Sequence, residues 1–157
     1  MGNFAKDIFK KCRAILNKFA RPIFPKRTER VRIGKMGEGI AVKFLKGKGM
    51  RVLARNYRHG HDEIDVVALE EKILVFVEVK TRAASNLVPG YYAAVSGRKR
   101  AAIKRCARAY LSSLRVKPAM VRYDVVEVDL PKGSEAKLDG KSAVVRHYAG
   151  ACELGIF

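Results

Sequence analysis

Cysteine is scarce here and poorly placed for chemistry: Cys12, Cys106 and Cys152 are three thiols in 157 residues, widely separated, with no CxxC pair. That spacing excludes a zinc ribbon and a disulfide framework, and it predicts small buried thiols in a reducing cytoplasm. Long apolar runs are missing too. None approaches the roughly 18 residues of a membrane-spanning helix, which predicts a soluble protein. Acids are few: 15 Asp and Glu stand against 33 Lys and Arg, a formal charge of +18. An excess of that size acts at long range and favours polyanions, meaning DNA, RNA or an anionic membrane. Nucleic acid is the leading expectation, and a basic surface that only solubilises the chain is the alternative. No internal repeat is present, so a solenoid is excluded.

What the chain has is enough apolar material for a core, 48% of residues, at a length that fits one domain with a modest extension. Residues 1–30 hold nine basic and two acidic side chains, a net of +7. Phe4, Ile8, Phe9, Cys12, Ile15, Leu16 and Phe19 recur at helical spacing, which predicts an amphipathic helix to about Ala20. Lysines interrupt its apolar residues, against a secretory segment, and Lys6 stands where a myristoylation signal has Ser or Thr. Such a helix suits docking on the domain, peripheral contact with anionic lipid, or nucleic-acid binding. Pro22 and Pro25 mark a linker, and the folded domain is expected over residues 31–157.

Within that domain the pattern predicts a helix over 34–46, with Ile40, Ala41, Phe44 and Leu45 inward and Gly47 and Gly49 ending it. Strands follow at about 50–57, 63–69 and 73–80. Ser96 is placed to cap a helix from Gly97 to about Leu114. A further strand lies near 121–129, then a Gly- and Lys-rich turn and a short strand near 143–148. The order predicts an α/β fold, a mixed sheet flanked by helices.

The central strands carry charges where they should be apolar. Strand side chains alternate, so Leu74, Phe76, Glu78 and Lys80 share one face while Ile73, Val75, Val77 and Val79 share the other. Both faces are apolar up to Glu78, as in a strand covered on both sides. The strand before it alternates likewise, with Glu63, Asp65, Val67 and Leu69 on one face. If Glu71 and Lys72 close a hairpin, facing residue numbers sum to 143: Leu69 meets Leu74, Val67 meets Phe76, Asp65 meets Glu78 and Glu63 meets Lys80. Glu-Lys makes a poor two-residue turn, so a four-residue loop in the same register is also expected. A slip of one residue would put Asp65 beside a valine. Two facing carboxylates repel each other unless a cation lies between them, and an all-oxygen pair suits Mg²⁺ or Mn²⁺. Lys80 beside that ion is placed to orient or deprotonate a water and to offset charge on a phosphate. The competing reading is structural: a Glu78–Lys80 salt bridge, with Asp65 paired to an arginine.

These residues form a larger pattern. Gly34-x-x-Gly37-Glu38, Asn56-Tyr57-Arg58, Glu63-Ile64-Asp65, Phe76-Val77-Glu78-Val79-Lys80-Thr81-Arg82, and Val95 with Lys99 together resemble the YraN family over about residues 31–130. These are small bacterial proteins similar to archaeal Holliday junction resolvases and to restriction-endonuclease-like PD-(D/E)xK nucleases. The resemblance implies a restriction-endonuclease-like core with Asp65 and Glu78 as metal ligands and Lys80 as catalytic lysine. Glu38, on the first helix, would complete the acidic cluster. It further implies a metal-dependent endonuclease acting on branched or structured DNA, and by analogy a homodimer. One departure stands out: the family's Gly before Glu-Ile-Asp is Asp62 here, after His59, Gly60 and His61. A metal site at His59 and His61 is a further alternative, against loop histidines that meet solvent or phosphate.

The polyanion has an expected seat. On the helix from Gly97, Ile103, Cys106, Ala107, Tyr110 and Leu114 form an inward stripe. Arg98, Lys99, Arg100, Lys104, Arg105 and Arg108 cover much of the rest, a face suited to phosphates. Arg55, Arg58 and Arg82 flank the carboxylates and are candidates to grip substrate near the cut. Two other readings remain: a nucleic-acid-binding protein that keeps the fold without catalysis, and a peripheral membrane protein attached through residues 1–20.

Overall fold

The computed structural model describes residues 25–83, 96–131 and 142–155. The chain divides into two compact units, Met1–Arg32 and Ile33–Phe157. The amphipathic helix expected up to Ala20, Cys12, Pro22, Val95 and most of the Gly- and Lys-rich turn lie outside the described residues.

Helix α1 runs over Pro25–Gly47, nine residues earlier than the sequence suggested. Pro25, read as part of a linker, instead opens the helix, where its fixed φ and missing N–H cost nothing. The other end has a clear cause. Gly49 adopts φ 87°, and its N–H reaches the Lys46 carbonyl at 2.9 Å while Met50 N–H reaches Leu45 at 3.1 Å. That paired closure needs the left-handed residue that glycine supplies without strain.

Strands β1 (Arg51–His59), β2 (Asp62–Glu70) and β3 (Ile73–Ala83) follow, then helix α2 (Gly97–Ser113), β4 (Met120–Leu130) and β5 (Val144–Tyr148). They form one mixed sheet in the order β1-β2-β3-β4-β5, with β3 and β4 parallel and the other neighbours antiparallel. A parallel pair needs a crossover, which α2 provides. The fold is α/β, as expected, and matches a restriction-endonuclease-like core. Ser96 sits at the start of α2, yet its side chain makes no capping hydrogen bond.

The two sheet faces bury separate cores. Ala41, Val42 and Leu45 of α1 pack with Val66, Ala68, Val75, Val77, Val126 and Val128. Ile103, Cys106, Ala107 and Leu111 of α2 pack with Val67, Leu74, Phe76, Tyr123 and Val125. Central β3 and β4 are therefore covered on both sides, the cause of their near-continuous apolar sequence. Among the described residues no helix is long and apolar enough to cross a membrane. Cys106 and Cys152 are free thiols, the first buried and the second half-buried.

Candidate active site

β2 and β3 pair in the expected register: Leu69 faces Leu74, Val67 faces Phe76 and Val66 faces Val77. Two departures follow. The strands join through Glu71 and Lys72 alone, because Glu71 takes φ 50° and so supplies a turn conformation its type rarely adopts. The ladder also stops at Val66–Val77, one step short of the anticipated Asp65–Glu78 and Glu63–Lys80 pairs. There Asp65 uses its side chain: Oδ2 accepts the Val79 N–H at 2.7 Å. Strict alternation fails at the same point. Ile64 packs in the α2-side core although Val66, two residues on, packs on the α1 side.

The neighbouring strand is irregular at the matching level. The β1–β2 register shifts between Val52 and Ala54, and Asn56 has φ 49° between the paired residues Arg55–Val66 and Tyr57–Ile64. Asn tolerates this left-handed conformation better than most residues. Its Nδ2 donates to Glu38 Oε2 at 3.0 Å, tying α1 to the strand edge beside Asp65. Gly37, one residue earlier, lies against Thr81 so closely that no side chain fits between them. Glu38 is thus held by Asn56. Among the described residues no group of three or more His, Cys, Asp or Glu is gathered tightly enough to hold a metal ion.

Glu78 is the buried charge of the site, with 3% of its side chain exposed. Lys80 Nζ donates to its Oε1 at 2.6 Å. Lys99 Nζ reaches across from α2 to 2.7 Å from Oε2, without hydrogen-bond geometry, so Oε2 is buried with no directed donor. The structural reading is met in part: the Glu78–Lys80 bridge exists, while Asp65 takes a backbone N–H. Burial pushes the Asp65 carboxyl up to about 7; the Glu78 charge adds to this, and the Val79 N–H, Lys99 and Lys80 oppose it. Beneath the pair, burial and then the Glu78 charge also push the Tyr123 hydroxyl up.

These features fit a hard cation. The Glu78 charge disfavours the ionised form of Asp65, one buried oxygen has no directed donor, and the donors are all oxygen. Asp65 and Glu78 are the residues that would hold Mg²⁺ or Mn²⁺.

The expected nucleic-acid contacts fall into two groups. Three side chains are engaged within the protein. Lys99 pairs with Glu78, Arg58 with Glu63 at 2.9 Å, and Arg105 makes a two-pronged bond to Asp62 at 2.7 and 2.9 Å. Arg55, Arg98 and Arg108 are exposed, while Arg82 and Lys104 are half-buried. Asn56 is a site residue that the sequence does not assign a role; its signals are an amide in mid-strand, where Asn is disfavoured, and its place in the Asn56-Tyr57-Arg58 motif. Lys99, expected on the phosphate-binding face, pairs instead with Glu78, and nothing local in the sequence links the two.

The model of uncharacterised protein family UPF0102 matches residues 37–128, a span that takes in Glu38, Asn56, Asp65, Glu78, Lys80 and Lys99. A UPF0102 protein of Chlorobium phaeobacteroides is 43% identical over 97 residues, covering 61% of this chain and 75% of that protein. One from Syntrophotalea carbinolica is 36% identical over 127 residues, covering 80% of this chain and 95% of the relative. One from Symbiobacterium thermophilum is 43% identical over 99 residues, covering 62% and 82%.

Proposed function

The chain belongs to uncharacterised protein family UPF0102, and from that premise and the site at Asp65 and Glu78 we propose a metal-dependent endonuclease that hydrolyses phosphodiesters in branched or otherwise structured DNA. The observation that carries the reading is the carboxylate pair Asp65 and Glu78, with Glu78 3% exposed and Lys80 Nζ 2.6 Å from it. Burying such a pair costs stability, so a site that keeps it has chemistry to explain it.

Asp65 and Glu78 would hold the cation, which when bound would polarise the phosphate and lower the pKa of a water. Lys80 Nζ, fixed by Glu78, orients the attacking water or donates to a phosphate oxygen. The water oxygen bonds to phosphorus, the bond to the leaving oxygen breaks, and that oxygen takes up a proton. Asn56 positions Glu38, and through α1 keeps the helix against this end of the sheet. Arg55, Arg98 and Arg108 offer exposed charge to the backbone, which suits recognition by shape. A four-way junction offers two equivalent strands, so the same reading calls for a symmetric homodimer.

Labelled junctions, flaps and single strands incubated with the full chain in Mg²⁺ or Mn²⁺ test this. Cleavage is expected for wild type, and equal cleavage by the Asp65→Ala, Glu78→Ala double variant overturns the proposal.

A second reading, a nucleic-acid binder without turnover, draws on Lys80 and Lys99 already meeting both oxygens of Glu78. It is separated by Mn²⁺ titration, since a binder has no need of metal affinity that depends on Asp65 and Glu78.

A further inference from the structure

Resting on the metal-site reading above, we infer that Lys99 is a built-in competitor for the cation: its ammonium occupies Glu78 Oε2 in the metal-free protein and must leave for metal to bind. The two lysines that meet Glu78 are not equivalent. Lys80 stands two residues along the same strand and makes a directed hydrogen bond to Oε1 at 2.6 Å. Lys99 comes from the first turn of α2 and stands 2.7 Å from Oε2 without hydrogen-bond geometry. Lys99 is therefore the weaker-held partner and the one that yields.

Charge arithmetic gives the consequence. Asp65 and Glu78 carry −2 once both are ionised, as holding a divalent cation requires, and Lys80 and Lys99 carry +2. A divalent cation entering with both lysines in place leaves an excess of +2 in a poorly solvated position. Displacing Lys99 towards solvent, to which its side chain is already 27% exposed, relieves part of that repulsion. The displaced ammonium is then available to a phosphate oxygen. Metal entry and engagement of the backbone are coupled through one side chain, and Lys99 is a positioning residue whose partner depends on the state of the site.

The test is Mn²⁺ binding to the full chain, followed by the electron paramagnetic resonance signal of free Mn²⁺, with no nucleic acid present. Lys99→Met is expected to bind Mn²⁺ about tenfold more tightly than wild type, because the competing charge is gone. Lys99→Arg keeps the charge and is expected to stay within about threefold of wild type, which a packing effect would not produce. Lys99→Met is also expected to melt at lower temperature in EDTA and to recover with Mn²⁺, as Glu78 exchanges one cation for another. Equal or weaker Mn²⁺ binding by Lys99→Met overturns the inference. If wild type binds Mn²⁺ and the Asp65→Ala, Glu78→Ala variant does not, that failure leaves the metal site standing. If neither wild type nor Lys99→Met binds, both readings fall together.

Discussion

Gly37 and Thr81 touch so closely that a Cβ on residue 37 would lie 1.8 Å from the Thr81 hydroxyl oxygen and 2.6 Å from its Cβ. Helix α1 thereby rests on β3 one residue beyond Lys80, and the next helical residue is Glu38. A single missing side chain sets how near the helix comes to the site.

Gly37→Ala is expected to destabilise the domain even though alanine favours helix by roughly 1 kcal/mol. The overlap forces either α1 or the end of β3 to move, at a cost of about 1–3 kcal/mol. Chemical denaturation would show a lower midpoint. Adding Thr81→Ala should restore only part of it, since the Thr81 Cβ still conflicts.

The Asp65 carboxyl gives a pH signature. Its value in the folded protein, about 7, lies above the ordinary 3.8, so the folded state keeps a proton that the unfolded chain gives up. Stability from this group is fully present below about pH 4, falls as pH rises towards 7, and levels off beyond. Melting curves in EDTA from pH 4 to 8 should show this decline in wild type relative to Asp65→Asn. Parallel curves would contradict it.

The β2–β3 turn stores strain at Glu71, which is exposed and held at φ 50°. Asparagine accepts that conformation more readily, so Glu71→Asn should stabilise the protein by about 0.5–1 kcal/mol. The denaturation midpoint should rise with an unchanged denaturant slope.

Periodicity made the hairpin legible, and it also marks where reading from sequence stopped. Val66 to Leu69 against Leu74 to Val77 has matched apolar residues on both faces, so only one register satisfies both cores. The same rule extended to Asp65 fails, because nothing in alternation announces a side chain that replaces a backbone partner. The role of Asn56 escaped for a related reason: a strand over 50–57 is legible, but a left-handed residue within it is not announced by alternation. Lys99 and Arg105 were visible as helix charges, but their partners Glu78 and Asp62 lie on other elements, and pairing at that distance is a tertiary fact. Glu38 was reachable only through family resemblance, since an acid on a basic helix carries no signal of its own.

Asp124 lies fully buried on β4, and its two oxygens accept from Arg122 Nε and a terminal Arg122 nitrogen, both at 2.8 Å, and from the Gly150 N–H at 3.0 Å, with His147 Nε2 at 2.8 Å. This one side chain joins β4 to β5 and to the turn after it. Asp124→Asn removes the buried charge that Arg122 and His147 share, while Glu70 stays on Arg122 at 2.6 Å. A loss of about 1–3 kcal/mol is expected, measured as an early unfolding transition.

The Asp62–Arg105 pair yields a prediction about affinity. Asp62 takes both prongs of Arg105 at 2.7 and 2.9 Å. An arginine already neutralised by a carboxylate releases few counterions on meeting DNA. Asp62→Asn should therefore strengthen DNA binding and steepen the dependence of log affinity on log salt by about one. Arg105→Ala should change that slope little, whereas Arg108→Ala, which removes an exposed charge on the same helix, should lower it by about one. Fluorescence anisotropy with a labelled duplex over a salt series gives all three slopes. A coincident slope for wild type and Asp62→Asn would mean that Arg105 lies outside the nucleic-acid surface.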